Sequence, residues 1–208
     1  MKVDHVKLAT SNTGKLREYQ RLAPNSPIVL ELMTEFASTP KFDEAAPTFA
    51  ENAAGKAIYY SQFTVSVVLA EDSGLVVPAL DGRPGVHSAR YAGEKATDVD
   101  RNRKLLEEMR GLSGEQRRAR FVCVSALAER GRALAVVSDF VEGLIARGPR
   151  GTGGFGYDPI FFVPDLAKTF GEATPEEKDR LSHRGKAFRK MLAAIEEHDF
   201  PARAAARQ

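Results

Sequence analysis

Residues 65–74 read VSVVLAEDSG, an aliphatic run that breaks on two adjacent acids, a serine and a glycine. An uninterrupted apolar run of this length is the pattern of a strand covered on both faces. Such a strand needs helices around it, and the sequence before it supplies one. Residues 48–61 place Phe49, Ala53, Ala57 and Tyr60 on one stripe, with Thr48 and Glu51 spaced for a capping box. Further back, VDHVKLA (3–9), the polar turn SNTGK and a helical pattern that ends before Pro24 repeat the order of strand, turn and helix. PIVLEL (27–32) reads as another strand.

On the other side of the run, Thr97 caps a helix that extends to about Gly111. Two long segments follow, ARFVCVSALAE (119–129) and RALAVVSDFVEGLIA (132–146), with Gly131 in the connection. They predict an antiparallel hairpin. PIFFVP (159–164) reads as a short aromatic strand, Thr174-Pro175-Glu176-Glu177 starts a helix, and a last helix covers about 184–198. Early alternation plus a late hairpin predicts an α/β fold with a mixed sheet flanked by helices.

Composition narrows the function classes. The chain has 208 residues, 30 Lys+Arg against 28 Asp+Glu, and 43% apolar residues. The length suits one domain, here residues 1–198, with a low-complexity tail at 199–208 expected to fray. A net charge of +2 is no electrostatic footprint for nucleic acid. The one cysteine, Cys123, excludes an intrachain disulfide and a cysteine-based zinc site. No apolar stretch reaches a membrane span and the N-terminus lacks a signal-peptide pattern, so a cytoplasmic protein is expected.

Four segments carry chemistry. Ser11-Asn12-Thr13-Gly14-Lys15 joins a strand to a helix, where free N–H groups and the lysine suit an anion. It is not a P-loop, because Ala9 and Leu16 stand where that motif needs Gly and Ser or Thr. A capped turn with a solvated lysine is the plainer alternative. Glu71-Asp72 at the carboxyl end of the strand is placed where ligands bind α/β sheets. Adjacent carboxylates need a cation or positive residues to stay ionised together, and Mg²⁺ shared with phosphates fits. A surface turn is the alternative. Gly151 to Gly156 matches G-x-G-x-x-G in form only, since a strand-like aromatic run follows rather than a helix. A loop that offers Phe155 as a stacking face suits it better. Ser182-His183-Arg184-Gly185, four residues after Lys178, reads either as structural or as a reader of an anion or base edge. Arg117, Arg118 and Arg120 read as solvated charge.

TSNTGK, TFAENAAGKA, AEDSGL, PGVHSARYAG, GTGGFGYDPIF and EEKDRLSHRGKA occur in this order between residues 7 and 195. Together they resemble the inosine triphosphate pyrophosphatase family. The resemblance implies a two-lobed α/β protein with a long curved mixed sheet and a central cleft. It implies a homodimer that uses Mg²⁺ to hydrolyse dITP, ITP and XTP to the monophosphate and pyrophosphate.

Position by position, the resemblance makes Thr10, Ser11, Asn12, Thr13, Gly14 and Lys15 the phosphate-binding turn. Glu44 and Asp72 become metal ligands, with Asp72 also the general base and Ser73 beside it on the substrate. Lys56 faces the triphosphate. Phe155, Gly156, Tyr157, Asp158, Lys178, His183 and Arg184 line the nucleoside pocket. Glu71 stands where the family has Asp, and Ala45-Ala46 where it has Thr-Gly. Two other readings remain: a related pyrophosphatase for modified pyrimidine or methylated nucleotides, and a nucleotide-binding module without turnover.

Overall fold

The computed structural model describes residues 3–197. An open sheet of seven strands runs through it, in the order β2-β1-β3-β4-β5-β6-β7. The strands are β1 (His5–Leu8), β2 (Val29–Leu32), β3 (Val67–Val76), β4 (Arg118–Glu129), β5 (Arg132–Ile145), β6 (Phe161–Val163) and β7 (Lys168–Thr169). β1 pairs in parallel with β2 and β3, and every pairing from β3 to β7 is antiparallel. The mixed sheet flanked by helices is therefore as expected. The frayed tail expected at 199–208 lies outside the described residues. Among the described residues, no helix is long and apolar enough to cross a membrane.

Among the described residues, five α-helices cover the sheet: α1 (Thr13–Leu22), α2 (Phe49–Tyr60), α3 (Asp98–Glu108), α4 (Pro175–Leu181) and α5 (His183–Glu197). Side chains alternate across a strand, so β3 serves two faces at once. Leu69 joins Tyr19 of α1 and Phe188 and Met191 of α5 on one face. Val68 and Ala70 join Ala53, Ala57 and Tyr60 of α2 on the other. A third cluster packs Leu105 and Met109 beside α3 against Phe121, Val141, Phe161 and Phe170.

The local signals act as their chemistry requires. Thr97 and Thr174 each form a full capping box, with Asp100 and Glu177 respectively. Thr48 caps α2 through Glu51 N, but its hydroxyl donates to the Glu51 carboxylate, so the expected box is only half made. The hairpin turns on Arg130 and Gly131, both at positive φ (48° and 77°). That pair of left-handed residues matches the twist of the flanking strands.

Two readings need correction. β3 does not stop at the acids. It continues through them to Val76, because β4 pairs with it residue by residue, Glu71 opposite Ser125 and Asp72 opposite Val124. The acids sit within a central strand rather than at its end or in a surface turn. Gly74 lets this happen: a Cβ there would meet the Gly85 carbonyl oxygen at 2.5 Å. Arg117, in turn, is not solvated charge. It is buried and donates to the carbonyls of Ile145, Ala146, Met109 and Leu112. It thus ties the C-terminal end of α3 to the end of β5 and adds a donor to carbonyls at both ends.

Candidate active site

The alternation that gives β3 two covered faces also separates its two acids. Glu71 continues the face of Leu69 toward α1 and α5, and Asp72 continues the face of Ala70 toward α2. Their environments differ accordingly.

Glu71 is fully enclosed by donors. Arg184 grips it in a fork, Nε to Oε2 at 2.9 Å and Nη2 to Oε1 at 2.8 Å. Lys15 Nζ lies 3.0 Å from Oε1, and the Tyr19 hydroxyl donates to Oε2 at 2.8 Å. Burial alone would raise its pKa, but the charges of Arg184 and Lys15 hold it well below the usual carboxylate range. With its oxygens so engaged, Glu71 is a structural counter-ion.

Asp72 is also buried, but its neighbours are milder. Its Oδ2 accepts from Asn52 Nδ2 at 3.0 Å and its Oδ1 from the Ser73 amide at 2.9 Å. Burial pushes its pKa up, Lys15 opposes this, and Glu44 adds to the rise. Asn52 also holds Ala46 at both backbone groups, N to Oδ1 at 3.0 Å and Nδ2 to O at 3.2 Å. One amide thereby fixes the acid and the loop that carries Glu44. Ala46 is not among the residues at positive φ, so that loop does not need the family's glycine.

The basic residues come already neutralised. Lys178 Nζ sits 2.5 Å from Glu18 Oε1 and 2.5 Å from Asp158 Oδ2, and Arg184 Nη1 donates to Glu18 Oε2. Three cations, Lys15, Lys178 and Arg184, thus face three acids, Glu18, Glu71 and Asp158. Burial would raise the Glu18 pKa, but Arg184 and Lys178 bring it down to about 2. Burial and the nearby Arg184 hold His183 well below the ordinary imidazole value. His183 is therefore neutral near pH 7. Its ring stacks on Phe121, with centroids 4.8 Å apart, and its Nδ1 has no hydrogen-bond partner among the described residues.

A single cavity brings together Asn12, Lys15, Glu44, Asp72 and Ser73 with Phe155, Gly156, Tyr157, Asp158, Lys178, His183 and Arg184. Five sequence-predicted residues are not in its lining: Thr10, Ser11, Thr13, Gly14 and Lys56. Thr10 is buried and accepts from the Asn12 amide, so it shapes the turn from below. Asn12 caps α1 through Lys15 N at 3.0 Å. Lys56 closes onto Glu44 Oε1. Gly14 supports the site by its missing side chain: a Cβ there would meet the Phe155 ring at 2.6 Å. Phe155 is thus less open than a free stacking face. Its ring packs on Gly14, with Lys178 Nζ 4.8 Å and the Arg184 guanidinium carbon 5.6 Å from its centroid.

Gly14→Ala is expected to push Phe155 off this contact. Overpacking of this kind costs roughly 1–3 kcal/mol. Thermal denaturation should show a lowered Tm, with no comparable loss for Ala at the exposed Thr13.

Sequence reasoning missed several contributors. Glu18 sits in α1 with its partner 166 residues away, which no local pattern reveals. Asn52 lies inside the quoted TFAENAAGKA, and Arg90 inside PGVHSARYAG, so their segments were visible although their roles were not. Arg90 lines the cavity and donates to the Glu44 carbonyl at 3.3 Å. Asp98 and Arg101, at the start of α3, also line it.

An open mixed sheet that holds a buried acid in one cavity with paired cations and aromatic rings defines an α/β protein with a polar ligand-binding cavity. The profile of the Ham1 family matches residues 6–194, and the chain belongs to that family. It is 49% identical over 190 residues to a dITP/XTP pyrophosphatase of Geobacillus kaustophilus, covering 91% of this chain and 93% of that protein. It is 51% identical over 193 residues to a dITP/XTP pyrophosphatase of Thermus thermophilus, covering 92% of each. A solved HAM1 protein from Coxiella burnetii superposes with a TM-score of 0.83 at 42% identity, covering 94% of this chain and all of that one. The Staphylococcus aureus Ham1 protein gives a TM-score of 0.81 at 36% identity, covering 93% and 99%.

Proposed function

We propose that this protein hydrolyses the non-standard purine nucleoside triphosphates dITP, ITP and XTP to the monophosphate and pyrophosphate. The observation that carries the reading is Asp72, a buried acid of raised pKa that shares one cavity with Glu44, Lys15 and the His183 wall. The relatives named above as dITP/XTP pyrophosphatases support the substrate class.

Among the described residues, no group of three or more His, Cys, Asp or Glu side chains is placed to hold a metal by itself. Two carboxylates in one cavity nevertheless fit Mg²⁺, which takes one or two protein carboxylates plus substrate phosphates. Glu44 and Asp72 are the residues that would hold it, and the charge of Glu44 already raises Asp72. When bound, the ion offsets negative charge on the phosphate oxygens.

The remaining roles belong to the chain. Asp72 accepts the proton of an attacking water, and Asn52 and the Ser73 amide hold its carboxylate in place. Lys15 keeps its charge: burial lowers its pKa, but Glu71 outweighs this and leaves it raised. It therefore presents an ammonium to the phosphates. Four of the five N–H groups of Arg184 are committed to Glu71, Glu18 and Ser73, so Arg184 positions rather than reads the base. Neutral His183 retains the chemistry to do so. A ring N–H from it pairs with the C6 carbonyl of hypoxanthine or xanthine and meets a second donor in adenine. The same proposal includes an Mg²⁺-dependent homodimer, for which the family resemblance is the support, and keeps the cytoplasmic location expected from the sequence.

The purified protein with dITP and Mg²⁺ is expected to release pyrophosphate. A panel of dITP, ITP, XTP, GTP, ATP and dUTP should show turnover of the first three well above the rest. Orthophosphate as first product overturns the reading. Fastest turnover of dUTP favours the pyrimidine alternative, and binding with no product favours the inert module.

A further inference from the structure

Gly156 lines the cavity between Phe155 and Tyr157, and both of its backbone groups are held by one helix. Asp98 Oδ2 accepts from the Gly156 amide at 2.7 Å, and Asn102 Nδ2 donates to the Gly156 carbonyl at 3.1 Å. The two side chains sit one turn apart on α3, the spacing at which they point from the same face. Between them they grip the peptide as a neighbouring strand would. The same turn holds the opposite wall as well. Arg101 pairs with Asp98 and donates to the carbonyls of Ala89 (3.0 Å) and Ala96 (2.6 Å). The Tyr157 hydroxyl then reaches the Ser88 carbonyl at 2.9 Å and joins the two walls.

Asn102 bears the mark of a residue kept for what it holds. It is only 5% exposed, and its Oδ1 is buried with no partner among the described residues. An unmet buried carbonyl is destabilising, so an apolar side chain of similar volume would serve packing as well or better. What an apolar side chain cannot do is donate to Gly156.

We infer that Asp98 and Asn102 are positioning residues that set the Phe155–Tyr157 wall of the nucleoside pocket and thereby the affinity for the purine nucleoside. The inference rests on the nucleotide reading above. The base and ribose do not change in the reaction, so a wall that holds them contributes equally to ground state and transition state. Loosening it raises KM and leaves kcat in place.

The test compares Asn102→Leu, Asp98→Ala and Asp98→Asn with the wild type in dITP turnover and thermal denaturation. Asn102→Leu is expected to leave Tm within a few degrees of wild type while KM for dITP rises roughly 10-fold, of the order one lost hydrogen bond gives. Its kcat should stay within about 2-fold of wild type. Asp98→Ala should raise KM likewise, and Asp98→Asn, which keeps an oxygen for the Gly156 amide, should recover most of that loss. A fall in kcat at unchanged KM, or a KM unmoved in folded variants, overturns the inference. If Asn102→Leu does not fold, the Asp98 pair decides by itself. If the wild type turns over no nucleotide, the pyrophosphatase reading has failed separately, and calorimetric affinity for inosine monophosphate replaces KM: weaker binding by Asn102→Leu or Asp98→Ala supports the inference, and equal binding overturns it.

Discussion

Asp72→Asn is expected to lower kcat for dITP by roughly 10²–10⁴-fold, the range over which a positioned general base contributes. The fold should survive the change. The carboxylate accepts from Asn52 and from the Ser73 amide, and an amide oxygen keeps one of these bonds while its NH₂ faces the other donor. Set against that mismatch, the substitution removes a buried charge that its surroundings already disfavour. Tm should therefore move by only a few degrees, on the order of 1 kcal/mol. Large loss of turnover at small loss of stability separates a catalytic role from a structural one. The wild-type pH profile adds a second check. Burial and Glu44 raise the Asp72 pKa above 3.8, so more of the acid is protonated at mildly acidic pH than for an exposed aspartate. Followed in the metal-free protein by carboxyl-carbon NMR, this titration should accordingly lie above the ordinary aspartate value and vanish in Asp72→Asn. A variant that retains more than about a tenth of wild-type kcat is outside the range for a general base and removes that assignment.

How far such residues were visible in the sequence follows from the range of the forces that place them. The capping boxes at Thr97 and Thr174 and the turn at Arg130-Gly131 are local, so three or four residues carry the signal. The apolar run before Glu71 is local too, and it marked the central strand. Where the strand ended was not local. The pairing of Asp72 with Val124 is what keeps the acids in the sheet, and β4 lies some fifty residues on. The same limit applies within the site. Asp72, Lys15 and His183 stand in recognisable segments, and the cavity contains all three. Arg117 looked like any arginine beside a strand, since the carbonyls that bury it come from two other elements. The counter-ions of Lys178 and Arg184 were hidden for the same reason: Glu18 and Glu71 arrive from α1 and β3.

That buried ionic cluster supplies the largest expected effect on stability. With Glu18 in place, three acids balance three bases. Glu18→Gln leaves Lys178 and Arg184 with one partner fewer, and breaking a buried pair from one side typically costs ~3–5 kcal/mol. Denaturant unfolding at pH 7 should show a loss of that size. The cost is also pH-dependent, and its sign follows from linkage. Glu18 has a folded pKa of about 2, below its ordinary 4.5, so the unfolded chain binds its proton first as pH falls. Its contribution is complete above the unfolded value, declines as pH drops below about 4.5, and is gone near 2. From that interval the contribution is about 3 kcal/mol, at 1.36 kcal/mol per unit. Glu71, held below its ordinary value by Arg184 and Lys15 against its burial, steepens the same acid limb. Asp158 acts in the opposite sense, because burial raises its pKa despite Lys178. Both remain in Glu18→Gln, and since the Glu18 charge adds to the rise at Asp158, the difference between variant and wild type reports Glu18 together with its pull on Asp158. That difference should be largest at neutral pH and shrink steadily between about pH 4.5 and 2. A gap that stays constant across this window would mean that the Glu18 carboxylate is not the counter-ion of Lys178 and Arg184 in solution.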